Sequence, residues 1–378
     1  MIKVIFLCSI LSIQAMASGL NAFRIIGQSP ATPSPEVRQS VDLIQNNKLA
    51  EAIELLQGAV KKNSEDADAW QYLGIALSRQ GKIDGARRAY EQAARLRPDS
   101  AAPHTGLAHC FLLSGKIQEA EKEAQKALKI NPKSDEARYC LATVRLNEGK
   151  PFDAVEEAEK AIELNPSFAA AFALKTRALI EAFSRVIDPR LQIDEEAQRG
   201  QTFILLHYFG MMSDQSAVKK NFQIEQGERF DKAIEMLERA LGRTPQAQEA
   251  GLWREMAESL RYWKPWILDY DKKPANPPIA PLDKLASRPR IIQAPEIRGV
   301  TSGPEVVATM LVVLSEDGKV LHKLLTRRPG LALTPLVLSL AEKITFAPAT
   351  QNGRNVATIA LLKYRISEGR VEISMPDK

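Results

Sequence analysis

Three prolines recur at an interval of 34 residues, at Pro98, Pro132 and Pro166. Each proline closes a segment that carries two alanines at matching offsets: Ala86 and Ala93, Ala120 and Ala127, and Ala154 and Ala161. A repeat of about this length forms one helical hairpin, which cannot bury its apolar face without a neighbour. The sequence therefore predicts a mainly α fold, an α-solenoid of stacked helix pairs with a concave surface that suits protein binding.

Alignment on these prolines defines repeat units at 67–100, 101–134 and 135–168, and an earlier unit at 33–66 with Ser64 in the proline position. Glycines are expected to end the first helix of each full unit with a positive φ, and these are Gly81, Gly115 and Gly149. Small residues allow the helices to approach closely, namely Gly74, Ala108 and Ala142 in the first helices and Ala86, Ala120 and Ala154 in the second. Each unit is therefore predicted to be an antiparallel helix pair.

The unit at 67–100 carries the pattern Trp70-x2-Leu73-Gly74-x2-Leu77, then Ala86-x3-Tyr90 and Pro98, which resembles the tetratricopeptide repeat. The next two units keep the central dipeptide at the same offset, as Leu107-Ala108 and Leu141-Ala142. The resemblance covers roughly four units and implies a scaffold that binds other proteins or extended peptides. Repeat families that bind a terminal carboxylate in the groove place Lys and Asn on the concave face. This chain does not carry Lys and Asn at those positions.

In such a stack the first helix of each unit turns four of its positions toward the concave groove. The resemblance therefore implies a partner-binding groove lined by Gln71, Ile75, Thr105, His109, Leu112, Tyr139, Thr143, Leu146 and Arg177. This set is mixed and mildly apolar, which suits a peptide held by apolar contacts and a few hydrogen bonds. The alternative is that the same face is ordinary solvated surface.

After Pro166 the repeat loosens. A first helix continues, but its partner is expected only at 228–241, which leaves an insertion at about 183–215. Residues 202–209 within it are apolar and aromatic, and either pack on the solenoid as an extra helix or contact a partner or membrane surface. Residues 246–263 are predicted to form a terminal cap, so the solenoid comprises about five helix pairs and a cap over 33–263.

A change of composition follows the solenoid. Residues 264–288 are proline-rich and polar, which predicts a semi-rigid extended linker and a domain boundary. Beyond it, 289–378 is predicted to be a small α+β domain of strand, strand, helix, strand. Asp317-Gly318 joins the first two strands, and Thr334 is predicted to cap the helix.

The stretches Asp317-Gly318-Lys319-Val320, Gly330 to Thr334, Ile344 to Ala349 and Asn352-Gly353 look like the TonB C-terminal domain family over roughly 289–367. The family's usual tyrosine-proline motif before the first strand is missing. The resemblance implies that a partner segment pairs with a sheet edge formed by Val356, Thr358, Ala360, Leu362 and Tyr364. Residues 371–375 read as a further strand, and if they pair with the third strand they occupy that edge themselves.

The N-terminus has the layout of a secretory signal peptide at residues 1–17, with an apolar core and an A-x-A site. Cleavage would release an exported, periplasmic protein. The alternative is an uncleaved anchor that associates the chain with the inner membrane. The mass of the mature N-terminus distinguishes the two.

The composition argues against several functional classes. Lys and Arg exceed Asp and Glu only by 51 to 46, and the charges alternate along helices, which argues against nucleic-acid binding. The four histidines are scattered, and no pattern indicates a metal, a cofactor or a catalytic site. Cys110 and Cys140 are interpreted as small packed residues, with a disulfide as the alternative.

The sequence thus predicts an exported, non-enzymatic protein-binding adaptor. A second hypothesis is a TonB-type energy-coupling component of outer-membrane transport, tied to the inner membrane by the N-terminal segment. A third is a self-associating structural protein, since the sequence leaves the oligomeric state open.

Overall fold

The helix pairs that the repeat predicts are present in the computed structural model, which describes residues 33–186, 216–268, 279–280, 285–295, 298–300, 305–330, 332–367 and 369–375. Nine helices lie in the first of these ranges: α1 (Pro35–Gln45), α2 (Leu49–Lys62), α3 (Ala67–Arg79), α4 (Ile83–Leu96), α5 (Ala101–Leu113), α6 (Ile117–Ile130), α7 (Asp135–Asn147), α8 (Pro151–Leu164) and α9 (Ala169–Ser184). They form four successive pairs and a further first helix. Pro98, Pro132 and Pro166 each follow the end of a second helix, as predicted.

The turn inside each pair is built on a left-handed residue. Gly81, Gly115 and Gly149 have φ values of 80°, 70° and 75°, which confirms the prediction. Asn47 takes the equivalent place in the first pair with φ 58°, and asparagine is the residue other than glycine that tolerates this conformation best. Lys82, which follows Gly81, donates its backbone N–H to the Leu77 carbonyl at 2.9 Å and so satisfies a carbonyl at the end of α3.

The ring of Tyr90 on α4 packs against two glycines of neighbouring helices, Gly74 on α3 and Gly106 on α5. A Cβ at Gly74 would lie 2.7 Å from the Tyr90 ring, and a Cβ at Gly106 would lie 2.5 Å from it. Both distances are too short for any side chain, so the ring occupies space that only glycine leaves open. Tyr90 is 1% exposed and therefore belongs to the core that joins one repeat to the next.

The described chain divides into two compact units, with the boundary between Ala178 and Leu179 inside α9. The second unit contains α10 (Ser216–Arg243) and α11 (Ala250–Leu268), which pack against each other. The buried side chains on these two helices include Ala233, Leu237, Ala240, Trp253, Met256, Leu260 and Trp263. The helices predicted at 228–241 and 246–263 are thus present, although α10 begins earlier and pairs with α11. Residues 187–215, which include most of the predicted insertion, lie outside the described residues.

The segment predicted as an extended linker differs from that prediction at both ends. Helix α11 continues through Pro265 to Leu268. Near the other end, the Ala286 N–H donates to the Thr350 carbonyl at 2.7 Å, so this part of the segment lies along a strand. Regular hydrogen bonding at each end therefore replaces the extended linker in the described residues.

The β-region also lies in the second unit. Its nine described strands are β1 (Arg290–Gln293), β2 (Arg298–Val300), β3 (Val306–Leu314), β4 (Val320–Arg327), β5 (Thr345–Ala347), β6 (Ala349–Gln351), β7 (Arg354–Val356), β8 (Thr358–Ser367) and β9 (Gly369–Ser374). One antiparallel sheet has the order β2-β9-β8-β3-β4, and two short ladders pair β1 with β5 and β6 with β7. The predicted order of strand, strand, helix, strand is met by β3, β4, α12 (Thr334–Ala341) and β8.

The predicted capping role of Thr334 is wrong. The N-cap of α12 is Leu333, which makes no side-chain capping bond. Thr334 lies inside the helix, and its hydroxyl donates to the Gly330 carbonyl at 2.9 Å. This bond closes the preceding turn, so the hydroxyl is committed to the turn and does not cap the helix.

Replacement of Gly106 by Ala should lower the free energy of unfolding by about 1–3 kcal/mol, because the new methyl group overlaps the Tyr90 ring. Gly58 is the matched control, since it lies in α2 and a Cβ added there would have nothing within 4 Å. Gly58→Ala should raise stability by up to about 1 kcal/mol. Urea denaturation followed by circular dichroism measures both. Equal effects of the two substitutions would contradict the packing described for Tyr90.

Candidate partner-binding surfaces

The predicted groove residues lie on the first helices α3, α5, α7 and α9, and none of them is exposed. Five are buried: Gln71, Ile75, Thr105, His109 and Leu146. The other four are half-buried: Leu112, Tyr139, Thr143 and Arg177. Both interpretations of this face, a partner-binding groove and ordinary solvated surface, stay predictions.

Two threonines of this set direct their hydroxyl groups to their own helices. Thr105 donates to the Ala101 carbonyl at 3.1 Å, and Thr143 donates to the Tyr139 carbonyl at 2.9 Å. Their donor capacity is thus used within α5 and α7, and the hydroxyl oxygens retain only acceptor sites. The Tyr139 ring packs against Phe168 at a centroid distance of 5.2 Å, which fixes its position.

His109 is the titratable group at the centre of this set. Burial lowers the pKa of its imidazole to about 4. The side chain is therefore neutral at pH 7 and contributes no positive charge to the binding of an anion. The central histidine is therefore not a cationic clamp.

The cysteines on the same helices, Cys110 and Cys140, are both free and buried. Burial raises the pKa of the Cys110 thiol to about 12 and keeps it protonated. The interpretation of both as packed residues is confirmed, and the structure contains no disulfide between them.

The predicted sheet edge is paired over part of its length. Thr358, Ala360, Leu362 and Tyr364 lie in β8 and are buried, while Val356 ends β7. Strand β8 bonds to β3 on one side, and from Lys363 to Ser367 it bonds to β9 on the other. The C-terminal segment therefore occupies the edge at Tyr364, as one of the predicted arrangements had it, whereas Thr358, Ala360 and Leu362 lie before the stretch that pairs with β9. Binding of a partner segment along these residues stays a prediction.

The opposite edge of the sheet, β4, is covered by helix α11. The backbone N–H of Lys323 donates to the Ser259 hydroxyl oxygen at 3.3 Å, and the Tyr262 ring stacks on His322 at a centroid distance of 4.2 Å. The Lys323 ammonium also pairs with Glu255 of α11 and, at 2.5 Å, with Glu342 at the end of α12. A partner strand has no access to this part of β4 while α11 stays in place.

A buried carboxylate links the end of α9 to the residues after β4. Glu181 is 3% exposed and accepts hydrogen bonds from Arg328 at 2.8 Å and from Arg185 at 2.5 Å. A carboxylate at this depth requires charged partners, because desolvation without them costs several kcal/mol. No local pattern in the sequence predicts this contact, because Glu181 and Arg328 are 147 positions apart.

Neither a metal cluster nor a membrane-spanning helix is found in the part of the chain that the structure describes. Within these ranges, no group of three or more His, Cys, Asp or Glu residues is arranged to hold a metal ion. Among the same residues, no helix combines the length and apolar character needed to span a membrane. The predicted signal peptide or anchor lies outside the described residues.

Family comparisons agree with the repeat architecture. Residues 37–81 and 73–135 match one family model described as tetratricopeptide repeat, and residues 123–156 match a second with the same description. The N-terminal region is a tetratricopeptide-repeat solenoid. A stretch of 75 residues is 29% identical to human Superkiller complex protein 3, and this alignment covers 20% of the chain but only 5% of the human protein.

Solved tetratricopeptide structures are similar at low identity. YrrB, described as a TPR protein with an unusual peptide-binding site, is 18% identical with a TM-score of 0.37 over 59% of this chain and 92% of its own. MamA is 19% identical with a TM-score of 0.35 over 56% and 93%. The first TPR of Spaghetti (RPAP3), bound to the HSP90 peptide SRMEEVD, is 22% identical with a TM-score of 0.29 over 31% and 92%. The resemblance of 289–367 to the TonB C-terminal domain stays a prediction.

The lowered pKa of His109 predicts an acid-sensitive contribution to stability. The folded-state pKa of about 4 lies below the value of 6.5 for a free histidine, so the unfolded chain takes up the proton first. The contribution is complete above about pH 6.5 and falls by about 1.4 kcal/mol per pH unit down to about pH 4. The free energy of unfolding of His109→Gln should decline less steeply than that of the wild type over this range. Parallel pH profiles for the two proteins would contradict the buried neutral state.

Proposed function

We propose that this chain is a protein-binding adaptor whose solenoid holds an extended segment of a partner along its first helices. The observation that carries the proposal is the run of tetratricopeptide repeats over 37–156. Such repeats stack into one continuous core and present a concave face, and their usual role is to bind other proteins. Part of that face is formed by the half-buried Leu112, Tyr139 and Thr143.

The chemistry of these residues favours a mainly apolar partner segment. Leu112 and Tyr139 offer apolar and aromatic surface, and the Thr143 oxygen is an acceptor because its donor is used. Neutral His109 offers no ion pair. We therefore expect affinity to depend weakly on salt and strongly on the volume of the partner's apolar side chains.

We further propose that the adaptor acts after export, because residues 1–17 have the layout of a signal peptide. Export is also consistent with the second hypothesis, a component that couples energy to outer-membrane transport. We favour the adaptor because β9 pairs with β8 and α11 covers β4, which leaves neither strand available there to a pulling partner. Detection of the mature chain without these residues in a periplasmic fraction supports export, and an intact N-terminus in the membrane fraction contradicts it.

A photo-cross-linking amino acid placed in the full-length protein tests the groove. With the cross-linker at Leu112 or Tyr139, we expect an adduct of the same mass from either position, because both lie on the face that holds the partner. Lys126 is the matched control, since it is exposed on α6, the second helix of the repeat that contains Leu112. Mass spectrometry of the cross-linked products identifies the adducts, and the yield at Lys126 should be at least about tenfold lower. Equal yields at all three positions would contradict a groove-bound partner.

A further inference from the structure

A strand outside the five-stranded sheet is paired on one side only. The Thr350 N–H donates to the Ser287 carbonyl at 3.0 Å, and the Ala286 N–H donates to the Thr350 carbonyl at 2.7 Å. The pairing continues in β1, where Arg290 lies opposite Ala347 in β5. Residues 286–293 therefore run antiparallel to 345–350 and form an anchored strand.

The outer side of this strand has no partner within the described ranges. There, β1 pairs only with β5, and the bridge at Ser287 is likewise to Thr350 alone. By contrast, β4 is covered by α11 around Lys323, and β8 pairs with β9 from Lys363 to Ser367. The segment thus presents a preformed edge to solvent.

An apolar side chain projects from this edge. Ile292 is 64% exposed, which is the highest value among the large apolar side chains that the structure describes. The register shifts between Ile291 and Gln293, so Ile292 is the extra residue of a bulge. A bulge reorients the side chain that it contains and interrupts regular pairing at that residue. Cover by a partner would remove from water the most exposed large apolar side chain among the described residues.

Two arginines stand beside Ile292 on the same strand. Arg288 and Arg290 are both exposed, and neither forms an ion pair with any residue in the described part of the chain. Residues 285–295 contain these two arginines and no acidic residue. Residues two apart on a strand lie on one side of it, about 6.6 Å from each other, which matches the spacing of alternate side chains on a paired strand.

We propose that the outer edge of β1 and its extension to Ser287 bind an extended peptide in which acidic and apolar residues alternate. The peptide backbone pairs with the strand, its carboxylates pair with Arg288 and Arg290, and an apolar side chain covers Ile292. A second copy of this chain is a poorer occupant, since its own 285–295 would bring two more arginines and no carboxylate. This site goes beyond the groove of the solenoid and lies in the other compact unit.

The test uses the full-length protein and a fluorescein-labelled ten-residue peptide of alternating Glu and Val, with binding followed by fluorescence anisotropy. Arg288→Glu combined with Arg290→Glu should weaken binding at least about tenfold, because two charge-assisted contacts become repulsive. Arg354→Glu is the matched control, since Arg354 is an exposed arginine on β7, away from the outer edge of β1. Its affinity should stay within about twofold of the wild type. Equal losses in the control and the double variant would overturn the proposal.

Two further variants test the apolar contact of Ile292 with the peptide. Ile292→Ser should weaken binding because it removes the apolar contact without adding charge, whereas Ile224→Ser should not, because Ile224 is 50% exposed on α10. Unchanged affinity in Ile292→Ser would overturn the role of this side chain.

A modified probe distinguishes strand pairing from charge alone without any change to the protein. The same peptide with alternate backbone amides N-methylated keeps its carboxylates but loses half of its N–H donors, and it should not bind. Equal binding of the methylated peptide would overturn the proposed pairing. Sedimentation of the free protein tests the other occupant: a dimer that Ile292→Ser converts to monomer would overturn the proposal in favour of self-association.

Discussion

The packing of the Tyr90 ring against Gly74 and Gly106 is the contact on which the N-terminal unit depends most. A ring at this place leaves no room for a Cβ on either neighbour, so α3, α4 and α5 meet at one point. In a solenoid each repeat contacts only its neighbours, and stability is approximately a sum over these junctions. A junction filled by one large side chain and two glycines therefore fixes how one repeat follows the next.

Local patterns predicted the helices because each repeat is a local structure. The 34-residue interval, the left-handed glycines and the C-terminal strand all rest on residues that are close in sequence. The role of Gly106 was not predicted, because the repeat register points to the small residue two positions later, Ala108, which is equivalent to Gly74. The Tyr90 ring approaches a glycine on each of two helices, and only the structure shows that α5 supplies the second of them.

The predicted sheet edge is occupied over part of its length, and the sequence did not show how much. Whether a strand has a free edge depends on every segment that packs beside it, and these segments are distant in sequence. Lys323 and Ser259 are 64 residues apart, and Glu181 and Arg328 are 147 apart. The same physical cause explains the linker: its composition is that of an extended chain, but α11 continues to Leu268 and Ala286 bonds to Thr350, which is a tertiary contact that composition does not show. The strands of this region could therefore be predicted from the sequence. The strand edges that a partner can reach could not.

The two surfaces that we propose bind partners lie in different units and differ in chemistry. In the first unit, the predicted groove residues are buried or half-buried, combine polar and apolar side chains, and include the neutral His109. In the second unit, charged contacts at Lys323 and Glu181 hold helices against the β-region. The exposed Arg288 and Arg290 lie on the strand that contains β1. Different chemistry at the two surfaces is what an adaptor requires in order to bind two unlike segments without competition.

A single aromatic side chain, that of Tyr90, couples adjacent repeats. Hydrogen exchange measured by mass spectrometry on the full-length Tyr90→Leu variant tests it most directly. We predict that protection falls together in α3, α4 and α5, while β3 and β8 in the other unit keep theirs, since loss of the ring opens the junction between two repeats. Loss of protection confined to α4, or unchanged protection in all three helices, would contradict the account.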